Sequence, residues 1–304
     1  MPAPRKNMKL AIAITVFNRP DYFRRCAEHI ARLPEVRAGT PVYVLGDPSP
    51  GNKLDECLPC IPSDWHWIVH PHPVGVPYYK QTALRVMFGL GYDAVFCVED
   101  DVLVGQFGLS LALSILRWST QHYSGIGSVS LSLRDIHSKD RRALCDCAIN
   151  QCAQIYLKKT FDLSLPYLDE YEHILDQVWP ASPDEKHLVR YHWPHTAIKA
   201  WVAKKCRDMP RPSKDSFPAQ LDYQKWHTEI EHSGTDILLD LALRCLGLSR
   251  PSTCVSRVLY IGEVGANSNP DTYREQGYLQ DSLVECSDDA TMDDFFALPG
   301  LDYA

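Results

Sequence analysis

Short apolar runs alternate with amphipathic stretches through the first third of the chain. Apolar runs of roughly four to eight residues, rich in β-branched side chains, are typical of strands buried on both faces of a sheet. The stretches between them repeat apolar residues at helical spacing. This alternation predicts an α/β fold, a Rossmann-like, mostly parallel sheet flanked by helices. The predicted strands are 9–16, 41–47, 65–70 and 94–98, and the predicted helices are 20–33 and 78–90.

The pattern continues less regularly in the second half of the chain. Apolar spacing predicts helices at 109–118 and 235–246 and strands at 128–133 and 154–157. The proline-rich stretch 208–218 predicts a loop. A chain of 304 residues is long enough for one large domain with a core that needs no disulfide or metal.

Composition and termini narrow the class of protein. Apolar residues make up 45% and charged residues 23%, which is ordinary for a globular protein. The sequence has no apolar run of about 18 residues and its start does not resemble a signal peptide, so we expect a soluble, cytoplasmic protein. The 11 cysteines lie mostly in apolar segments and are expected to be reduced thiols, although Cys57 and Cys60 have the spacing of half a zinc site.

Charge is distributed unevenly. The segment 281–304 holds seven carboxylates and no Lys or Arg, so its charge equals the whole net charge of −7. It is predicted to be an acidic C-terminal tail.

The segment 186–214 is basic and holds eight Lys or Arg residues against one acid. Aromatic residues among these cations are typical of a surface that stacks on nucleic-acid bases or sugar rings, and a solvated basic face is the alternative. The candidate acceptor-binding residues are Trp193, Trp201, Lys204 and Lys205.

Three consecutive acids, Glu99, Asp100 and Asp101, follow the predicted strand 94–98 directly. In open α/β sheets ligands bind beyond the carboxyl ends of the strands. Buried carboxylates at such a position require a cation or several donors, and oxygen ligands suit Mn²⁺ or Mg²⁺. An acidic turn facing solvent is the alternative that the triplet alone leaves open.

The stretch YYKQTALRVMFGLGYDAVFCVEDDVLVGQF, together with AIAITVFNRPDYFRRCAEHI near the start, resembles the GT-A glycosyltransferases, and more narrowly the inverting N-acetylglucosaminyltransferase I type and related family 2-like transferases. The resemblance covers about residues 8–135 and, more faintly, 233–279. It implies one GT-A catalytic domain over 1–280, with a nucleotide-sugar half at 8–107 and an acceptor-side half at 108–280 that includes a basic insertion at about 186–218.

The resemblance also implies roles for single residues. Asp101 would bind the metal through the DXD-like motif, with Glu99 and Asp100 near the ribose and nucleotide. Asp47 would accept a hydrogen bond from uracil, so that the donor would be a UDP-sugar. The end of the first predicted strand would contact the base or ribose through Thr15, Phe17, Asn18 and Arg19. Two cations of the helix 78–90, Lys80 and Arg85, are candidates for binding the donor phosphates.

An inverting transferase needs a carboxylate base opposite the leaving group. In the family such a carboxylate begins a helix, which points here to Asp236, with Asp240 as second candidate. Gly262 and Gly265 lie in an Ile-Gly-x-x-Gly turn that would close over the donor. The metal-binding histidine of many relatives is missing from this region, which offers Tyr260, Glu263, Asn267 and Ser268 instead.

Together these features indicate a hexosyltransferase that moves a sugar from a nucleotide-sugar to a soluble acceptor. The acceptor is a glycan or a nucleic acid, the latter implying a modified-base hydroxyl and thus DNA modification. Two alternatives stay open: a nucleotidyltransferase, although the Gly-rich loop usual after its first strand is absent from 17–25, and a non-catalytic nucleic-acid-binding protein on a degenerate transferase fold.

Overall fold

The computed structural model describes residues 8–132, 138, 140–146, 152–188, 196–210, 215–218, 235–263, 270–275 and 294–298. The strands are β1 Leu10–Val16, β2 Val42–Gly46, β3 His66–Val69, β4 Ala94–Glu99, β5 Val102–Val104, β6 Ser128–Ser132, β7 Ala143–Asp146, β8 Ala153–Leu157, β9 Pro251–Ser256, β10 Val258–Tyr260 and β11 Phe296–Ala297. The helices are α1 Pro20–Ile30, α2 Pro34–Arg37, α3 Leu54–Cys57, α4 Val76–Gly89, α5 Gly108–His122, α6 Lys158–Val178, α7 Thr196–Arg207, α8 Thr235–Cys245 and α9 Pro270–Glu275.

Nine of these strands form one mixed sheet in the order β11-β7-β9-β6-β8-β4-β1-β2-β3. The half made of β4, β1, β2 and β3 is entirely parallel. Strand β8 is antiparallel to both β4 and β6, whereas β6 and β9 are parallel to each other. The carboxyl ends of β1, β2 and β4 therefore meet along one edge, as the sequence pattern predicts.

The central strand β1 explains why the sheet is buried on both sides. Its side chains alternate between the two faces, as a pleated strand requires. Ile12 and Ile14 pack with α1 and α5 in one apolar cluster, and Ala11 and Ala13 pack with α4, α6 and α8 in the other. All four side chains are fully buried. The continuous apolar run in the sequence is thus the direct signature of helices on both faces.

The Rossmann-like α/β class is confirmed, and each segment predicted as a strand or helix contains one in the structure. Helix α6 was not predicted, and Pro166 lies inside it. Within the predicted acidic tail, β11 joins the sheet beside β7 and Phe295 is buried. No helix in the described part of the chain is long and apolar enough to span a membrane.

Strands β5 and β10 form a separate antiparallel ribbon beside the carboxyl edge of the main sheet. In its register Tyr260 lies opposite Val102, the residue that follows the acidic triplet. The amide of Ile261 donates to the carbonyl oxygen of Asp101 at 2.8 Å. The ribbon therefore holds the Ile-Gly turn directly against the acids.

Candidate functional site

Two of the three acids at the end of β4 are buried and do not face solvent. Asp100 and Asp101 are only 2% and 1% exposed, whereas Glu99 is partly exposed. Arg19 bridges the two aspartates, with one guanidinium nitrogen on Asp100 Oδ1 and the other on Asp101 Oδ2. Lys80 of α4 donates to Glu99 Oε1 at 3.2 Å. The structure thus places two cations against the three acids.

Burial dominates the electrostatics of the pair of aspartates. The pKa of Asp101 is raised to about 6, because the effects of burial and of the neighbouring Asp100, which raise it, outweigh that of Arg19, which lowers it. Burial raises the pKa of Asp100 in the same way. Burial lowers the pKa of Arg19, but the two aspartates outweigh this effect and raise it. Arg19 thus stays charged, and the acids need cations to ionise fully.

Gly262 makes the close approach of the ribbon possible. A Cβ built on it would overlap Asp101 Oδ2 and lie 2.5 Å from the Tyr260 hydroxyl. The Tyr260 phenol also donates to the Asp101 carboxylate, which lowers the pKa of Asp101. Gly265 lies outside the described residues. Sequence analysis did not assign a role to Tyr260, although its place two residues before the predicted glycine was a usable signal.

Whether a divalent cation fits here can be tested on Asp101. Its Oδ1 atom is buried and has no hydrogen-bond partner among the described residues. A buried carboxylate oxygen in this state is costly unless a cation or donor reaches it. The described residues contain no group of three His, Cys, Asp or Glu side chains arranged to hold a metal. The unpartnered Asp101 oxygen suits an ion such as Mn²⁺ or Mg²⁺ that takes one or two carboxylates and completes its shell with water and phosphate oxygens.

Asp47, at the end of β2, accepts hydrogen bonds from neighbouring residues of the protein. Its Oδ1 accepts from the Ser49 amide at 2.9 Å, the Ser49 hydroxyl at 2.7 Å and the Val74 amide at 3.0 Å. Its Oδ2 accepts from the Gly75 amide at 2.8 Å. Asp47 therefore holds the loop that leads into α4, and its hydrogen bond to a uracil stays a prediction.

His70 lies beside Asp47 and was missed by sequence analysis. It is 4% exposed, and its Nε2 atom has no hydrogen-bond partner in the described part of the structure. Burial lowers the pKa of His70 more than Asp47 raises it, so the ring is neutral near pH 7. A histidine at the end of a short apolar strand is a weak signal on its own.

The end of β1 lies where the sequence predicts. Thr15 is buried beside Glu99 in the register of β1 and β4. The Phe17 amide points to Asp100 Oδ2 at 3.5 Å, and Asn18 is partly exposed. Tyr79 fastens this end, because its hydroxyl contacts the backbone of both β1 and β2.

Arg85 does not belong to this site. Its guanidinium pairs with Asp169 at 2.6 Å and lies 3.7 Å from Glu172, both on α6. The predicted role on donor phosphates is therefore corrected: Arg85 lies well over one helical turn beyond Lys80 and faces α6 instead.

The prediction of Asp240 as the second candidate for the catalytic base is also wrong. Its side chain is fully buried on α8, and its Oδ1 lies 3.5 Å from Arg244 Nε and 3.7 Å from Arg250 Nε. Arg244 in turn pairs with the buried Asp146. A carboxylate enclosed by two guanidinium groups has no route to an acceptor hydroxyl, so this cluster is structural.

The first candidate base, Asp236, lies in the first turn of α8, and its side chain is outside the described part of the structure. The backbone still restricts its position. After α8 the chain pairs with residues just before β6, with the Gly127 amide 2.8 Å from the Ser249 oxygen. Helix α8 therefore ends at the amino edge of the sheet, and it packs against α4, which begins at the carboxyl edge. The start of α8 accordingly lies toward the edge that holds the acids.

The four residues of the predicted acceptor surface have different environments. Trp201 is 6% exposed and packs on Tyr171, with ring centroids 5.7 Å apart, so its predicted stacking role is wrong. Lys205 pairs with Glu170 at 2.5 Å and lies over Trp201, which makes it part of the contact between α6 and α7. Lys204 is exposed on the same helix. Trp193 lies outside the described residues.

The fold and site thus define a Rossmann-like α/β protein with a cation-paired acidic triplet at the carboxyl edge of its parallel strands. No family model matches the sequence, and no curated protein matches it significantly.

Comparison with solved structures finds distant matches. A mannosyltransferase from Pyrobaculum calidifontis, solved with GDP-Man and Mn²⁺, is 14% identical over 68% of this chain and 63% of its own, with a TM-score of 0.39. TarS 1-349 from S. aureus, solved with UDP-GlcNAc, is 13% identical over 54% and 48%, with a TM-score of 0.36. Glucosyl-3-phosphoglycerate synthase from Mycobacterium tuberculosis, solved with Mn²⁺, UDP and phosphoglyceric acid, is 14% identical over 41% and 43%, with a TM-score of 0.30. The chain spans less than two thirds of each of these proteins, and its function has to be inferred from its own site.

Proposed function

We propose that this protein is a glycosyltransferase that uses a nucleotide-sugar, a UDP-sugar in the first instance, and a divalent metal, Mn²⁺ or Mg²⁺. The observation on which the proposal depends is the burial of Asp100 and Asp101 at the carboxyl end of β4, paired with Arg19 from the neighbouring strand end. Buried acids with cations at this edge suit a ligand that brings both a metal and negative charge.

The chain's own residues then divide the work. Asp101 holds the metal, and Glu99 and Asp100 face the ribose and nucleotide. Lys80, buried and next to Glu99, adds positive charge near the donor phosphates. When bound, the metal neutralises charge that develops on the leaving nucleoside diphosphate.

The nucleobase lies at the ends of β1, β2 and β3 in this proposal. His70 supplies a buried ring nitrogen there, and Asp47 holds the neighbouring loop in place. A neutral His70 can accept from or donate to a base edge according to its tautomer.

Deprotonation of the acceptor is assigned to Asp236 at the start of α8, which makes the reaction inverting. The amino end of a helix favours a carboxylate in its ionised form, which is the form that a general base needs. A soluble glycan acceptor is preferred to a nucleic acid, because two of the predicted stacking or phosphate-binding residues, Trp201 and Lys205, are engaged in helix packing.

The test combines binding with turnover. Thermal melting of the protein with UDP-, GDP- and CDP-sugars, each with and without Mn²⁺, measures donor choice, because a ligand of the folded state raises the melting temperature. Slow hydrolysis of the stabilising UDP-sugar should then depend on Mn²⁺ and be lost in Asp101→Asn. The exposed Asp64→Asn serves as control and should keep wild-type hydrolysis.

Hydrolysis that survives Asp101→Asn would exclude the metal assignment. Stabilisation by GDP- or CDP-sugars alone would exclude the proposed UDP preference. No stabilisation by any nucleotide-sugar would favour a non-catalytic role for the fold.

A further inference from the structure

Arg19 occupies the position between the acids that a metal ion would need. Its two terminal nitrogens contact different carboxylates, Asp100 through Oδ1 and Asp101 through Oδ2. The remaining Asp101 oxygen, Oδ1, is buried and has no partner in the described part of the chain. One guanidinium thus balances only one of two buried negative charges, and it leaves one carboxylate oxygen unsatisfied.

The guanidinium is the member of this trio that can move. The side chains of Asp100 and Asp101 are 2% exposed and fixed at the end of a central strand, whereas the side chain of Arg19 is 24% exposed. Arg19 is the last residue before α1, which begins at Pro20, so its backbone is held while its long side chain can turn toward solvent. On the other side, Gly262 and Tyr260 lie against Asp101 Oδ2, the same oxygen that Arg19 contacts.

We infer that Arg19 is an exchangeable counter-ion of this site: its guanidinium and a divalent cation exclude each other at Asp101, and binding of the cation releases Arg19 toward the solvent side. This inference rests on the proposed function, because it concerns the same acids. A guanidinium that no longer contacts the two carboxylates is stabilised again if it forms hydrogen bonds to the oxygens of a bound diphosphate. Metal and nucleotide should therefore strengthen each other's binding.

The experiment measures Mn²⁺ affinity directly, by electron paramagnetic resonance of free Mn²⁺ in titrations of the full chain. Arg19→Gln removes the competing charge and is compared with Arg24→Gln, a control on the helix that follows Arg19, whose exposed side chain pairs with Asp21 at 3.0 Å. Without nucleotide, Arg19→Gln should bind Mn²⁺ about tenfold more tightly than wild type. Arg24→Gln should bind as wild type does. Adding Asp101→Asn to Arg19→Gln should remove the gain.

A second measurement tests the exchange itself. UDP should increase the Mn²⁺ affinity of the wild type, and this increase should be several-fold smaller in Arg19→Gln, because the variant has no guanidinium to release. Arg19→Lys keeps one positive charge but cannot bridge two carboxylates, so its affinity without UDP should lie between those of wild type and Arg19→Gln. Arg19→Lys also provides the comparison if Arg19→Gln does not fold.

The results separate this inference from the proposed function. Mn²⁺ affinity that is equal or weaker in Arg19→Gln and Arg19→Lys, with Mn²⁺-dependent turnover intact in the wild type, would overturn the exchange and leave the function standing. A complete lack of Mn²⁺ binding in wild type and both variants, with and without UDP, would overturn the exchange and the metal-dependent function together.

Discussion

Gly262 lies against the carboxylate of Asp101, so closely that the space for a Cβ atom is already taken by Asp101 Oδ2. The contact arises because β10 pairs with β5, which follows the acidic triplet directly. The neighbouring Tyr260 hydroxyl, 2.5 Å from the same Cβ position, prevents a small shift from relieving the overlap. Asp101 and Gly262, which are far apart in the sequence, are therefore closely packed against each other at the candidate metal position.

Gly262→Ala is expected to destabilise the protein and to weaken Mn²⁺-dependent turnover. A methyl group in a packed site of this kind costs about 1–3 kcal/mol in unfolding free energy. Gly89→Ala is the matched control, because its Cβ would have no atom within 4 Å and its backbone is helical. Urea denaturation should show a loss for Gly262→Ala and no loss, or a small gain, for Gly89→Ala. Equal stability of the two variants would mean that the ribbon is not held against Asp101.

Asp47→Asn is expected to loosen the loop before α4. The carboxylate accepts four hydrogen bonds, and an amide in its place presents a donor to at least one backbone N–H. The unfolding free energy should fall by about 1–3 kcal/mol. Asp64→Asn, an exposed substitution, should change it by less than about 0.5 kcal/mol. A wild-type stability for Asp47→Asn would show that the loop does not depend on this carboxylate.

UDP binding by Asp47→Asn, measured by calorimetry at a temperature where the variant is folded, distinguishes the two roles of the residue. An affinity loss with full structure would support a contact with the base. An unchanged affinity would limit Asp47 to holding the loop.

The parallel half of the sheet could be predicted because its physical signature is local. Apolar runs such as 9–16 and 94–98 have one structural explanation when amphipathic helices separate them. The position of the acids at a strand end follows from the same pattern. Helix α6 was missed because Pro166 interrupts a stretch whose helical spacing is otherwise clear, and the structure tolerates it within the helix.

Contacts between distant segments could not be predicted in the same way. Nothing local in the sequence shows that Arg19 pairs with Asp101, or that Arg85 faces α6 instead of the donor side. Trp201 and Lys205 belong to a basic, aromatic segment that is typical of a binding surface, yet the amphipathic period of α7 buries the tryptophan. The composition of this segment shows that it is basic and aromatic, but whether each side chain is buried or exposed depends on its position on the helix.

His70→Gln is expected to change how stability depends on pH. Burial lowers the pKa of His70 below its usual 6.5, so the folded protein binds this proton less readily than the unfolded chain does. The stability that a neutral His70 provides is present above pH 6.5 and is lost as pH falls through the lower, folded pKa. Wild-type unfolding free energy should therefore decrease between pH 7 and pH 5 more steeply than that of His70→Gln, by at most about 1.4 kcal/mol per pH unit.

The exposed His173→Gln should retain the wild-type slope in the same denaturation series. Identical slopes for wild type and His70→Gln would mean that the ring is protonated equally well in the folded and unfolded states. Addition of saturating UDP should extend the difference to lower pH if the Nε2 atom of the neutral ring contacts the base, because the bound ligand then lowers the pKa of His70 further.

Removal of a buried charge near α8 is expected to lower the unfolding free energy much more than removal of a surface charge. Asp146 is 1% exposed and shares Arg244 with Asp240, so removal of its charge leaves a buried guanidinium with weaker compensation. Asp146→Asn should lower the unfolding free energy by about 3–5 kcal/mol, the usual cost of breaking a buried ion pair. The control is Asp169→Asn, whose partner Arg85 and own side chain are 36% and 61% exposed, and it should cost less than about 1 kcal/mol. Denaturant titration of both variants measures the contrast. A loss below about 1 kcal/mol in Asp146→Asn would show that the charge of Arg244 is readily compensated by Asp240.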